Sequence, residues 1–290
     1  RNFFISLTQN IEPIILDIKY ENYDKLLKKR NIALKKGVLI TNDNDYVNAE
    51  ISNEKNKLKA KIRLKGDWTD HLQSKKWSYR VKIKDDKTLF GMNKFSLQSP
   101  GTRNYISEWI FLKLLKEEDL PSLRYEFKPL ILNGEDMGIY AIEEHFDKIL
   151  VESNSFKEAP IVRLSESLMW DVMAFHGNWE GNNISKKSYS TGFQLNKIKD
   201  NEILKKNFDI ANQLLNGFYS GDLKTSDVFD IDKLAKYFAI VELTNSQHSS
   251  NWHNMRFYYD PFLSKLIPIG FDGINGQAVK LANLSIERED

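Results

Sequence analysis

Hydrophobic and polar residues alternate along much of residues 1–164, and this alternation predicts a β-rich region. Short segments with β-branched or aromatic residues at every second position are typical of half-buried strands. The Asn133-Gly134 pair predicts a tight hairpin turn. The predicted strands are residues 11–20, 46–52, 58–64, 77–83, 94–98, 123–132 and 138–142.

Two segments of this region have helical character instead. Residues 21–36 are rich in Leu, Lys and Ala, which favour a helix. In residues 105–116, Ile106, Trp109 and Ile110 recur at three- and four-residue spacing, which predicts an amphipathic helix.

The pattern changes beyond residue 165. Residues 165–200 are irregular and rich in Ser, Asn and Gly, so a binding loop and a mobile insertion are both open interpretations. Helices are predicted near residues 202–216 and 230–245, the second opened by Asp230 or Asp232, and a hairpin near residues 255–271 follows. We therefore predict an α+β protein with a β-rich N-terminal lobe (residues 1–164) and a mainly helical C-terminal lobe (residues 165–290) that contains the hairpin.

Composition narrows the classes of function. The 290-residue chain has 42 basic and 40 acidic residues, so its net charge of +2 gives no reason to expect a nucleic-acid or membrane-surface partner. It has no cysteine, which excludes disulfides, thiol nucleophiles and Cys-ligated zinc. It also has no run of about 18 apolar residues that would span a bilayer. Because it starts at Arg1 and ends in a charged stretch, we expect a fragment of a longer precursor, with an extracytoplasmic or cell-surface location left open.

Residues 63–80 combine cations with a turn and hydroxyl groups. Arg63 lies near the end of a predicted strand, Gly66 begins a turn, and Lys76 opens the next strand. A phosphate-binding enzyme needs backbone N–H groups and a fixed ammonium that converge on anionic oxygens. A solvated strand face explains the same residues, and this segment alone does not decide between the two.

Carboxylate and amide groups follow later in the chain. Glu143 and Glu144 lie at the end of a predicted strand, where a carboxylate can pair with a lysine on a neighbouring strand or complement a helix dipole. Asn254 begins the predicted hairpin and Asp272 ends it. Together they can supply oxygen ligands to Mg²⁺, although a plain turn at Asp272 and a backbone-bonding Asn254 are equally simple explanations.

Taken together, these motifs resemble those of the spore-coat protein H (CotH) kinases, an atypical family with a two-lobed protein-kinase-like fold. The resemblance covers residues 11–277, and its most specific part is the run from Leu132 to Asp147. The other matching segments are residues 63–66 (Arg-x-x-Gly), 76–80 (Lys-x-Ser-Tyr-Arg), 91–97 (similar to Gly-Met-Lys-x-Leu-x-Leu), Asn254 (Asn-x-x-x-Tyr) and residues 266–272 (similar to Ile-Pro-x-Asp-x-Asp).

The resemblance implies a phosphotransferase that uses ATP and Mg²⁺ (or Mn²⁺) and phosphorylates Ser or Thr hydroxyls of a protein. By resemblance, Arg63, Lys76 and Glu144 would bind the cofactor, with Lys76 on the ATP phosphates and Glu144 orienting Lys76. Asn254 and Asp272 would be both catalytic and metal-binding residues.

Two residues depart from the family pattern. Ser249 stands where the family usually has an aspartate, and Gly270 replaces the first carboxylate of the Asp-x-Asp pair. His248 is then the candidate substitute base and the third catalytic residue. The departures also support an alternative hypothesis, a pseudokinase that acts as a nucleotide-binding or protein-interaction module. A third hypothesis is a ligand-binding domain that uses Trp170 and Trp179.

Overall fold

Seven strands form a closed barrel in the computed structural model, which describes residues 11–177 and 187–274. The strand order is β1-β2-β3-β4-β5-β7-β6, and β1 closes the barrel because it pairs antiparallel with β2 and parallel with β6. The barrel strands are β1 (Ile14–Asp17), β2 (Val47–Ser52), β3 (Lys57–Leu64), β4 (Tyr79–Ile83), β5 (Lys94–Gln98), β6 (Tyr125–Leu132) and β7 (Glu135–Glu144).

Alternation of apolar and polar residues explains the barrel. In β3, Leu58, Ala60, Ile62 and Leu64 are buried in the barrel core, whereas the residues between them are more exposed. Because successive strand residues point to opposite faces, the apolar set of each strand fills the interior. Helix α1 (Tyr20–Lys36) adds Leu26 and Ala33 to the same core.

A second, four-stranded antiparallel sheet lies beside the barrel, with strand order β11-β10-β8-β9. Its strands are β8 (Ile161–Leu164), β9 (Ser190–Gly192), β10 (Arg256–Asp260) and β11 (Lys265–Ile269). The remaining helices of the described residues are α2 (Asp70–Gln73), α3 (Ser107–Glu117), α4 (Lys148–Ser153), α5 (Ser167–His176), α6 (Leu195–Lys199), α7 (Glu202–Ser220), α8 (Thr225–Val228) and α9 (Ile231–Thr244). Short 3₁₀ turns lie at Asp43–Asp45, Pro100–Arg103 and Gln247–Ser250.

The predicted fold class is wrong. The described residues do not form a two-lobed protein-kinase-like fold with a mainly helical C-terminal lobe; they form a closed barrel and a second sheet with helices packed on it. The sequence pattern missed β8 and β9, which pair with the predicted hairpin and turn it into a four-stranded sheet. It also missed barrel closure, because the pairing of β1 with β6 joins residues more than a hundred positions apart. The division of the chain into domains at residue 164 stays a prediction.

Most individual elements are confirmed. The Asn133-Gly134 turn joins β6 and β7, and the Asp230 side chain caps α9 by accepting a hydrogen bond from the Lys233 N–H. Residues 165–200 contain α5, β9 and α6, while the Trp179 proposed for ligand binding lies outside the described residues. None of the helices in the described ranges is both long and apolar enough to cross a bilayer.

Helix α3 is confirmed, but its buried face is not the one that the spacing indicated. Ile106, Trp109 and Ile110 are all exposed. The buried residues are instead Phe111, Leu112, Leu115 and the carboxylate-bearing Glu108. This face packs in a second hydrophobic core, which it shares with the strands of the four-stranded sheet. The packing places α3 next to the site described below.

Candidate active site

Polar residues form a row on the outer face of the barrel. In the neighbouring strands β3, β4, β5 and β7, the cross-strand partners are Arg63 with Arg80, Arg80 with Ser96, and Ser96 with Glu143. Their sequence neighbours, among them Leu64, Tyr79 and Leu97, point into the barrel core. Ser96 and Glu143 are nevertheless buried, because the second sheet and its helices cover this part of the barrel. Buried polar groups on an outer barrel face need partners, and the row provides them.

Lys65 and Glu143 form a buried ion pair next to this row. The Lys65 ammonium lies 2.6 Å from Glu143 Oε1 and donates to Gln98 Oε1 at 2.6 Å. Gln98 Nε2 in turn donates to the second Glu143 oxygen at 3.0 Å. Burial lowers the pKa of Lys65. Burial alone would raise the pKa of Glu143, but the charges of Lys65, Arg103 and Arg80 outweigh it, so this pKa is lowered and the carboxylate stays ionised.

The structure does not pair Lys76 with Glu144. The Lys76 ammonium donates to the Ile139 carbonyl at 3.1 Å. Glu144 is buried and binds Arg124, with its Oε2 accepting from both the Arg124 backbone N–H and Nε at 3.0 Å. Adjacent residues of β7 point to opposite faces, which is why Glu143 reaches Lys65 and Glu144 does not.

The third predicted cofactor-binding residue, Arg63, lies at the end of β3 in the polar row. It is half-buried and its guanidinium donates to the Thr41 hydroxyl and, at 3.1 Å, to the Leu64 carbonyl. Arg80, which lies opposite on β4, contacts the His145 Nδ1 at 2.8 Å. Two guanidinium groups on paired residues repel each other unless an anion lies close to both.

Arg103 connects the barrel to Asp272. It ends the 3₁₀ turn after β5, and its Nε lies 3.0 Å from Asp272 Oδ1, with both side chains buried. The two atoms are not aligned as a hydrogen bond, and neither has a hydrogen-bond partner among the described residues. Burial would raise the pKa of Asp272, but Arg103, His248 and Lys65 lower it far below its usual range. Asp272 is therefore a buried, ionised carboxylate whose Oδ1 is paired with the Arg103 charge but accepts no aligned hydrogen bond within the described residues.

Helix α3 shapes the backbone around Asp272. A Cβ atom at position 270 would lie 2.1 Å from Leu115 Cδ1, and one at position 273 would lie 2.2 Å from Phe111 Cδ1. Only glycine allows the chain to lie this close to the helix. Asp272, between them, has a left-handed φ of +58° and donates its N–H to Glu108 Oε1 at 3.0 Å. Gly270 therefore replaces the first family carboxylate at a position whose side-chain direction is filled by α3.

His248 links Asn254 to Asp272. His248 Nδ1 lies 3.3 Å from Asp272 Oδ2 and 2.9 Å from Asn254 Nδ2, which also donates to the His248 carbonyl at 2.9 Å. Burial would lower the pKa of His248, but its contact with Asp272 raises it. Ser249 is fully buried and donates to the Ser246 carbonyl at 2.7 Å. The structure thus brings together His248, Asn254 and Asp272, whereas Ser249 only stabilises the 3₁₀ turn.

The described residues fit a divalent cation only in part. They contain no group of three or more His, Asp or Glu side chains that could hold a metal ion. Asp272 Oδ1 is nonetheless a buried carboxylate oxygen that accepts no hydrogen bond within the described residues, and its neighbour at 3.0 Å is the Arg103 guanidinium. Mg²⁺ is commonly held by one or two protein carboxylates together with phosphate oxygens of the substrate. The donors present therefore suit a cation that arrives with a phosphate chain.

Sequence analysis missed four residues of this network: Lys65, Gln98, Arg103 and Glu108. Lys65 and Gln98 looked like ordinary outward-facing strand residues. Glu108 had a usable signal, because it shares helical spacing with Phe111, Leu112 and Leu115, and a carboxylate within an apolar stripe requires a partner. Arg103 follows a Pro-Gly-Thr turn and gave no pattern.

Comparison with known proteins supports a kinase relationship. Residues 62–273, more than half of the chain, match the model of the family described as CotH kinase protein. The matched region begins in β3 and contains every residue of the network described above. A comparison with curated proteins finds no match.

Proposed function

This chain belongs to the CotH kinase family, and from this premise we propose that it is an ATP- and Mg²⁺-dependent phosphotransferase that phosphorylates Ser or Thr hydroxyls of a protein. The observation that supports the proposal best is the closeness of two buried ion pairs, Lys65–Glu143 and Arg103–Asp272, because the cation of each pair lowers the pKa of the carboxylate of the other. Phosphoryl transfer requires a fixed ammonium and a metal-binding carboxylate on the same phosphate chain. We assign these two roles to Lys65 and Asp272.

The lysine assignment follows from the contacts. Kinases hold the phosphate-binding lysine with a glutamate, and Glu143 is the carboxylate that holds a lysine here. Lys76, the lysine favoured by the sequence motif, is half-buried and donates to a backbone carbonyl on β7. Lys65 thus takes the role that the family motif suggested for Lys76.

Arg63 and Arg80 supply further positive charge for the phosphates. They are directly opposite each other on β3 and β4, on the same outer face as Lys65. Two cationic side chains in this register cost free energy unless an anion compensates them. Asp67 already acts on both guanidinium charges, and Glu143 acts on Arg80. A nucleotide phosphate chain in front of the barrel would add a further anion, and Arg63 keeps the cofactor-binding role proposed for it.

Asp272 and Asn254 are the proposed metal ligands. Asp272 would offer its Oδ1, and Asn254, whose amide nitrogen is held by His248, would offer its amide oxygen. A bound Mg²⁺ would neutralise charge on the phosphate oxygens during transfer. The Arg103 guanidinium is paired with the same Asp272 oxygen. A bound cation must therefore share this oxygen with Arg103 or displace the guanidinium from it.

His248 is the proposed base. Its Nδ1 contacts Asp272 and Asn254, which orients the imidazole, and it is the titratable side chain next to the position of the missing family aspartate. An oriented base accepts the proton of the acceptor hydroxyl and contributes roughly 10²–10⁴-fold to a rate. Because phosphoryl transfer passes through a loose transition state, the base contribution here belongs at the lower end of that range.

The test is transfer of the terminal phosphate of labelled ATP to the protein itself and to Ser- or Thr-containing acceptor proteins, with Mg²⁺, with Mn²⁺ and with a chelator. We expect metal-dependent labelling that Asp272→Asn abolishes. Thermal unfolding with ATP, with metal and with both provides a second readout, since a ligand that binds only the folded state raises the melting temperature. Absence of both labelling and a metal-dependent shift would contradict the proposal.

A pseudokinase is the second candidate, and the buried positions of Ser249 and Gly270 favour it. Neither residue offers space for a carboxylate at the metal, since Ser249 is fully buried and Gly270 is packed against Leu115. A metal-dependent thermal shift without phosphate transfer would support this alternative. A location outside the cytoplasm or at the cell surface also stays a prediction.

A further inference from the structure

A buried carboxylate outside the family motifs lies directly behind the proposed metal ligand. Glu108, near the start of α3, has no exposed surface. Its Oε1 accepts the Asp272 N–H at 3.0 Å, across 164 positions of sequence. Its Oε2 is buried and has no hydrogen-bond partner among the described residues. Burial raises the pKa of Glu108. A buried carboxyl group is costly in either protonation state, so its retention beside Phe111, Leu112 and Leu115 calls for an explanation.

The backbone conformation of Asp272 provides that explanation. Asp272 has φ +58°, a left-handed conformation that costs free energy for a residue with a Cβ and persists only where its surroundings enforce it. The two flanking glycines lie close to α3, Gly270 against Leu115 and Gly273 against Phe111, and neither contact involves the Asp272 N–H. That N–H is held by its hydrogen bond to Glu108.

We propose that Glu108 is a positioning residue, which holds the Asp272 peptide group in its left-handed conformation and thereby turns the Asp272 carboxylate towards the cation and phosphate site. The inference rests on the proposed function, because it assigns Glu108 a role towards the metal ligand of that function. Glu108 touches neither nucleotide nor cation; it acts through Asp272. Its removal should therefore change the use of the metal more than the binding of the phosphate chain, a role that we assign to Lys65 and Arg63.

A near-isosteric pair of variants tests the role. Glu108→Gln keeps an oxygen that accepts the Asp272 N–H, and Glu108→Met removes it at similar volume. We expect Glu108→Met to raise the Mg²⁺ concentration for half-maximal phosphate transfer about tenfold or more, the size of effect reported for outer-shell partners of metal ligands. For Glu108→Gln, the same Mg²⁺ concentration should stay within about threefold of the wild type, because the Gln oxygen still accepts the Asp272 N–H. Rescue by this acceptor distinguishes a positioning role from mere filling of the core. Glu117→Met, at an exposed position of the same helix, is the control.

The readouts separate the inference from the proposed function. The KM for nucleotide should change less than the apparent metal affinity, and the metal-dependent rise in melting temperature should shrink in Glu108→Met alone. If Glu108→Met does not fold, Glu108→Ala replaces it with the same expected result. A folded Met or Ala variant with wild-type metal dependence would overturn the positioning role while leaving the proposed function intact. A wild-type protein that shows no metal-dependent nucleotide binding would overturn both.

Discussion

At the scale of single residues, the alternation of side chains along β7 decides which glutamate joins the candidate site. Glu143 and Glu144 are adjacent, both buried, and bind different cations, Lys65 and Arg124. The family motifs favoured an ion pair between Lys76 and Glu144. The structure contains a buried lysine–glutamate pair, but its members are Lys65 and Glu143. The strand motif that contains Lys76 is present, yet its lysine binds the backbone of β7.

Substitution of Lys65 and substitution of Lys76 should have different effects on phosphate transfer. Lys65→Met should reduce phosphate transfer by about 10²-fold or more, whereas Lys76→Met should change it only a few-fold. Lys65→Met also leaves Glu143 without its closest cation, which costs about 3–5 kcal/mol of folding stability. The double variant Lys65→Met/Glu143→Gln should recover stability but not activity, as measured by urea unfolding and labelled ATP. Equal losses at both lysines would contradict this assignment.

Gly270 permits a direct test of the missing carboxylate. Gly270→Asp places a Cβ 2.1 Å from Leu115, so we expect a loss of about 1–3 kcal/mol in the free energy of unfolding and no gain in metal affinity. Gly270→Asp/Leu115→Ala should relieve part of the clash. A rise in metal-dependent activity in either variant would show that position 270 faces the cation, against the geometry described here.

At the scale of elements, helix α3 packs against the backbone of the candidate site, although the family motifs described above do not include this helix. Local patterns predicted most strands and helices, since period-two alternation and capping residues act over a few positions. The same patterns failed for the buried face of α3, because the apolar Ile106, Trp109 and Ile110 remain exposed and the face that packs contains Glu108. The face of α3 that becomes buried depends on which other elements of the chain pack against the helix.

The two faces of α3 should respond differently to truncation. Phe111 is fully buried and supports Gly273, so Phe111→Ala should cost about 3–5 kcal/mol in the free energy of unfolding. Trp109 is 41% exposed, and Trp109→Ala should cost clearly less although it removes a larger side chain. Urea unfolding of both variants measures the difference. A larger loss at Trp109 would mean that the exposed face is covered in solution.

At the scale of the whole molecule, the pKa shifts of buried histidines predict acid sensitivity. Burial lowers the pKa of His71 and His145 well below the ordinary value, and that of His253 to about 4. These residues are neutral in the folded state, while the unfolded chain takes up protons near pH 6.5. The contribution of these histidines to stability is therefore complete above that pH and falls as the pH decreases below it, because their side chains then bind more protons in the unfolded state.

His71 isolates this effect, because its side chain is 4% exposed and its Nδ1 lies 2.9 Å from the Ser78 hydroxyl. Between pH 7 and about 5.5 it should account for a loss of about 1 kcal/mol in the free energy of unfolding. His71→Gln should reduce the pH dependence by up to about one proton over that interval. Replacement of the exposed His176 serves as the control. An unchanged slope in His71→Gln would refute the buried neutral state.

Barrel closure has a consequence for any shorter version of this chain. The family match begins at Ile62, inside β3, yet β1 and β2 lie before it and complete the barrel. A fragment cut at the family boundary would keep only residues 62–64 of β3, and it would leave this remnant and β6 at the edges of an open sheet, with unpaired N–H and C=O groups and an uncovered apolar interior. Such edges recruit strands from other copies of the chain. Strands β1 and β2 thus occupy the positions at which a fragment of the family region would otherwise pair with other copies of itself.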